Sequence, residues 1–288
     1  FIKFLALGIV FVGLFSLPSV LGQMGSNNVY FENESIAIRI TSDLNVPQFQ
    51  FWVPSDTLAM NESTTYQVKF IKLFESVDEN KDGMYNKGNE TVVPGTSDAL
   101  ARMAWDFSDI ETYNNESHFN ITSSGEDFTV EFRNHFDHNE SSIKFDIFID
   151  NYNFTSDHEN VSLVLGFHLV STEKALIKSQ HEIKFGSQGF FESEPQANTA
   201  NETVIPVGLS NGTDAENVMA YIAFPRFNDS VFHDPTIGID VDSTNVIDDD
   251  DSDDDDDSRI PGYADIWLAT ASLFGVIYIG MMYKKIRQ

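Results

Sequence analysis

Phe128-Thr129-Val130-Glu131-Phe132 and Ile143-Lys144-Phe145-Asp146-Ile147 carry an apolar side chain at every second position. Successive side chains of an extended chain point to opposite faces, so this period predicts strands with one buried and one wet face. The same alternation runs through Ile36 to Ile40, Phe49 to Val53 and Met103 to Phe107. Val161 to Leu169 is the longest such run, and Val218 to Phe224 closes the series. Tyr66 to Phe70 alternates until Ile71 breaks the phase, which predicts a bulge before Leu73 and Phe74. Asn, Asp, Gly and Ser fill the intervals, as turns require. Only Ser171 to Gln180 offers a short helix.

Many short strands joined by polar turns predict an all-β chain, an antiparallel β-sandwich spanning residues 23–240. Turn-rich stretches at 95–98 and 187–201 are where it would divide into two subdomains. The 25 phenylalanines are read as its core.

On either side of this body the composition changes. Residues 1–22 have Lys3, an apolar run from Phe4 to Phe15, and small residues up to Gly22, the pattern of a secretory signal peptide. Residues 241–263 form an acidic stalk, with nine aspartates between Asp248 and Asp257 that repel one another and extend the chain. Ile266 to Tyr283 contains no charge and no proline. At about 1.5 Å per residue it is just long enough, as a helix, for a hydrocarbon layer of about 30 Å. One transmembrane helix is therefore expected over 264–283. Residues 284–288, with Lys284, Lys285 and Arg287, form a basic tail that should face the cytoplasm.

Pro261-Gly262-Tyr263, the apolar span and the basic cluster together resemble the PGF-CTERM sorting segments of archaeal surface proteins, with Tyr263 standing where that pattern has Phe. The resemblance covers the tail alone. It implies an archaeal cell-surface protein, the Asgard group being one source, whose tail is cut and exchanged for a lipid. The implied location is the cell surface, as a single-pass protein with its N-terminal domain outside.

Charge and sequons agree with that location. The chain has 17 Lys and Arg against 45 Asp and Glu, a net charge of −28, so it lacks the basic footprint of a nucleic-acid binder. With no cysteine it can form neither disulfides nor thiolate metal sites. Asn-x-Ser/Thr occurs at Asn33, Asn61, Asn89, Asn115, Asn120, Asn139, Asn153, Asn160, Asn201, Asn211 and Asn228. With 22 asparagines and 44 serines and threonines in 288 residues, chance supplies about three, so the excess predicts a glycosylated, exposed surface.

The stretch Asp78-Glu79-Asn80-Lys81-Asp82-Gly83-Met84-Tyr85-Asn86-Lys87-Gly88-Asn89-Glu90 resembles an EF-hand calcium loop. Asp78, Asn80 and Asp82 recur at every second residue so that hard oxygen ligands can converge, and Gly83 permits the turn. The resemblance implies calcium held by Asp78, Asn80 and Asp82, the Met84 carbonyl, Asn86 through water, and Glu90. The twelfth position is Asn89, a sequon residue, so Glu90 one place later is expected to close the site. The flanks read as strand and loop rather than helices. An ordinary Asp-Gly turn is the competing reading.

Weaker constellations are His135-Phe136-Asp137-His138, whose histidines could hold a transition metal, and Phe232 to Gly238, where His233 and Asp234 could bind or catalyse. No G-x-S-x-G, Walker loop or H-E-x-x-H occurs. The sequence thus predicts a structural, adhesive or ligand-binding surface glycoprotein, partnered by the membrane and by other surface proteins or glycans. Its rivals are an anchored hydrolase of glycan or peptide and a solute-capture protein.

Overall fold

The computed structural model describes residues 28–42, 46–54, 65–124, 127–172, 176–212 and 218–240. The predicted signal peptide, stalk, span and basic tail lie outside these residues. Among the described residues, no helix is long and apolar enough to cross a membrane.

The described chain is all-β. The first strands are β1 (Asn28–Glu32), β2 (Ala37–Thr41), β3 (Gln48–Trp52), β4 (Thr65–Val77), β5 (Thr91–Val92), β6 (Asp98–Ala99) and β7 (Ala104–Phe107). A meander follows, of β8 (Glu111–Tyr113), β9 (Glu116–Ser124), β10 (Thr129–Asp137) and β11 (Ser142–Tyr152), before the chain crosses to the first sheet as β12 (Val161–Ser171). Shorter strands complete the body: β13 (Leu176–Lys178), β14 (Glu182–Phe185), β15 (Gly189–Glu192), β16 (Gln196–Thr199) and β17 (Val204–Pro206). The last four are β18 (Gly208–Asn211), β19 (Val218–Pro225), β20 (Asp229–His233) and β21 (Thr236–Ile239). The helix expected near 171–180 is replaced by strand at 176–178. Ile177 and Lys178 pair with Lys184 and Ile183, so ladder bonding outweighs the local preference there.

Two antiparallel sheets result. The first runs β1-β2-β3-β4-β12-β19-β18, with β5 and β6 also on β4. The second runs β13-β14-β15-β21-β11-β10-β9-β7, extended through β8 on β9 and through β20, β16 and β17. The architecture is β-sandwich-like, because the facing sides share one core. Phe49, Phe70 and Phe167 from the first sheet meet Phe132, Phe145 and Phe191 from the second. Ring centroids lie 4.7 Å apart for Phe70 and Phe132, and 5.0 Å apart for Phe49 and Phe145. Such pairs add to simple area burial.

The bulge predicted at Ile71 is present. Gly166 pairs with Lys72 while Phe167 pairs with Phe70, so Ile71 is the extra residue on β4. The phase change turns Leu73 into the common core and Phe74 onto the opposite face of the sheet. There Phe74, Val164, Tyr221 and Ala223 form a second apolar cluster, closed by Tyr85 from the 78–90 loop. This explains why β12 is buried at every position from Val161 to Phe167: its residues are covered on both sides.

A carboxylate lies deep in the body. Glu75 is fully buried and accepts hydrogen bonds from the Thr155 and Ser156 backbone N–H groups at 2.6 and 2.9 Å and from the Tyr152 hydroxyl at 3.3 Å. A buried carboxylate is tolerable only with such donors, and here they pin the turn after β11 onto β4.

Candidate metal centre

The 78–90 loop leaves the end of β4 and returns at β5, crossing the outer face of the first sheet. Its backbone is organised by its own acidic and amide side chains. The two Asp78 oxygens accept from Lys81 N at 2.7 Å and Gly83 N at 2.9 Å. Asn80 Oδ1 accepts from Asp82 N at 3.1 Å, and Asp82 Oδ1 from Met84 N at 2.8 Å. Asx side chains bonding backbone two or more residues ahead wind the chain into successive turns. Gly83, at φ +76°, occupies the left-handed region that a residue with a Cβ enters at a cost.

Winding brings three carboxylates together. Asp78, Asp82 and Glu90 each place an oxygen within 4.8 Å of the others, a cluster that could hold a metal ion. Asp78 is buried, Glu90 half-buried and Asp82 exposed, so the cluster opens to solvent on one side. Asn80 and Asn86 stand beside it, each donating from its side-chain nitrogen to Asp82 Oδ2 at 2.8 Å. Met84 contributes its N–H to Asp82. Asn89 is exposed, and Glu90 is the third carboxylate of the cluster.

Glu90 carries the electrostatic tension of the site. Its Oε2 accepts from Asn86 N at 3.2 Å, while Oε1 is buried without a hydrogen-bond partner. Burial, reinforced by the charges of Asp78 and Asp82, pushes its carboxyl up to about 7. Desolvation and like charge both favour the protonated form, and a cation among the three oxygens would reverse both. Calcium and other hard cations take such oxygen donors.

Contacts remote in sequence seat the loop. The Ser210 hydroxyl donates to Tyr85 O, and Tyr85 packs edge-on against Phe74 and Tyr221. Gly208 lies so close that a Cβ there would come within 2.0 Å of Gly83 O. Gly208 and Ser210 escape a reading of the sequence, because nothing local to β18 refers to a loop more than a hundred residues earlier.

The other sequence candidates are placed as follows. His138 bonds Ser117 Oγ at 3.0 Å and lies against Phe136, while His135 turns to the opposite face, so the two do not converge. His233 ends β20, with Nε2 2.9 Å from Ser193 Oγ and Nδ1 3.3 Å from Gln196 O. Burial lowers it to about 4, so it stays neutral. Asp234 lies in the turn between β20 and β21, 3.7 Å from Lys144 Nζ.

Protein-family models and curated proteins both yield no match to the chain.

Proposed function

We propose that this chain is a membrane-anchored, N-glycosylated cell-surface protein in which calcium at Asp78, Asp82 and Glu90 fixes the loop over the outer sheet, serving a structural, adhesive or ligand-binding role. The observation that carries the calcium reading is the unpartnered Glu90 oxygen beside two further carboxylates on a loop already seated by Tyr85. The glycan reading is supported by exposure. Of the ten sequon asparagines within the described residues, six are exposed, four are half-buried and none is buried. The anchor reading rests on the apolar span and its flanking charges.

Without helices on either side and without a glutamate at the twelfth position, the site should bind calcium with Kd on the order of 10⁻⁴–10⁻³ M. Binding to the folded state alone then adds roughly 1 kcal/mol at millimolar calcium, about 2–4 °C in Tm for a body of this size. Thermal melts of the full chain with calcium and with chelator should differ by that amount, and Asp82→Ala should erase the difference. The sign of the pH effect follows from Glu90. Its raised value means that, without metal, the stability contributed by the protonated form is present below the ordinary carboxylate range and is lost as pH rises through about 7. The cation needs the ionised form, so the calcium-induced rise should be larger at pH 8 than at pH 6. A Tm indifferent to millimolar calcium at pH 8 would leave the loop as a turn only.

Anchoring is tested separately. Removal of residues 266–288 should move the expressed protein from the membrane fraction into the medium. Continued sedimentation with membranes would overturn the assignment of that segment as the anchor.

A further inference from the structure

The outer face of the second sheet carries a pair of histidines bonded to each other and to two carboxylates. His118 on β9 and His135 on β10 are direct cross-strand partners. Their Nδ1 atoms face each other at 2.9 Å, with the ring planes 85° apart. The far nitrogen of each ring is held by a carboxylate: His118 Nε2 lies 3.1 Å from Glu116 Oε2, and His135 Nε2 lies 3.0 Å from Asp146 Oδ2. Ionised carboxylates only accept, so both Nε2 atoms carry the proton. A neutral imidazole protonated at Nε2 presents a bare lone pair at Nδ1. Two such lone pairs pointing at each other repel, and only a positive species between them makes the contact attractive.

We propose that His118 and His135 form a binding site for one divalent transition-metal ion, with Glu116 and Asp146 orienting the two rings. Imidazole nitrogen suits zinc, copper and nickel, in contrast to the all-oxygen cluster at Asp78. A carboxylate behind each ring fixes the tautomer that leaves Nδ1 free and strengthens it as a donor. Two nitrogens at about 2.0–2.1 Å from a tetrahedral ion stand about 3.3 Å apart, so the pair must open by only a few tenths of an ångström.

The surroundings fit a cation. His118 and His135 have 19% and 39% of their side chains exposed, enough for entry from solvent. Glu111 on β8 is paired with His118 in the ladder, so it adds a carboxylate on the same face. Tyr113 stacks on the His118 ring with centroids 4.4 Å apart and leaves the nitrogen edge open. Two positive side chains on neighbouring strand positions are held by other groups. Lys144, opposite His135, lies 3.7 Å from Asp234, and Arg133 lies 3.2 Å from Glu131 and over the Phe148 ring.

The test uses Cu²⁺ as the probe and electron paramagnetic resonance of the full chain as the readout. One equivalent of copper should give a single signal split by two nitrogens. His118→Phe and His135→Phe should each abolish the two-nitrogen pattern, whereas His138→Phe should leave it intact. Glu116→Gln and Asp146→Asn should keep the pattern while weakening binding about 10- to 100-fold. The absence of a two-nitrogen signal in the unaltered protein overturns the proposal whatever the variants do, because copper would then occupy carboxylates alone or the ring pair would hold a proton only. A signal that survives both His118→Phe and His135→Phe overturns it equally.

Discussion

Phe70→Ala should lower the stability of the body by about 3–5 kcal/mol, the usual cost of deleting a fully buried phenyl ring and leaving part of its cavity unfilled. Phe70 is the ring through which the sheets meet. It contacts Phe49 and Phe167 on its own side and Phe132 and Phe145 across the interface, with centroids between 4.7 and 6.0 Å away. At about 2–4 °C per kcal/mol the melting temperature should fall by roughly 6–20 °C. The comparison is Phe148→Ala, which removes a half-buried ring on the outer face that lies beneath the Arg133 guanidinium. That change should cost well under half as much. Equal losses at the two positions would mean that the packing between the sheets is not the main source of stability.

Gly208→Ala should abolish the calcium response altogether and destabilise the body by about 1–3 kcal/mol, as overpacking does. The added methyl would meet Gly83 O at 2.0 Å, Gly83 C at 2.8 Å and Met84 Cα at 2.9 Å. All three are backbone atoms, so no side chain can swing aside and the loop itself must lift. Lifting separates Asp78 and Asp82 from Glu90 without altering any of the three. Gly212→Ala is the control, since its added methyl would meet Lys87 Cδ and Met219 O at 3.6 Å, an ordinary van der Waals distance. A full calcium-dependent rise in Gly208→Ala would show that the acidic loop holds its shape without the seat beneath it.

What the sequence disclosed follows from how local each signal is. β10, β11 and β12 are visible because Phe, Ile, Val and Leu mark their buried faces at every second place. β9 is hidden because two of its buried positions are Ser117 and Ser123, whose hydroxyls are satisfied by His138 and Val130 N. Buried serine between sequon residues looks like turn. The strands from β15 to β18, and β20 and β21, are masked in the same way by Gly, Asn, Ser and Pro. The acidic loop is legible because its carboxylates recur within one short stretch, and Asp78, Asp82 and Glu90 come together there. The histidine pair is not legible. His135 and His138 are close in sequence, but residues three apart in an extended chain face opposite ways. His118 reaches His135 only through the register of the β9–β10 hairpin.

The position of β21 bears on how the body would withstand tension. The chain beyond Asp240 is the proposed tether, and it leaves from a strand that lies inside the second sheet. β21 is flanked by β15 from Gly189 to Glu192 and by β11 from Ser142 to Lys144. At its end Asp240 N donates to Gln188 O at 2.8 Å, and Lys184 Nζ donates to Asp240 Oδ2 at 2.9 Å. A pull on the tether, by flow or by a neighbouring cell, therefore cannot peel away a free edge one hydrogen bond at a time. It must break two ladders together with their terminal clasp. Resistance to pulling is set by the unfolding rate rather than by equilibrium stability. On this reading the body gives way late and all at once, as a mechanical anchor point should.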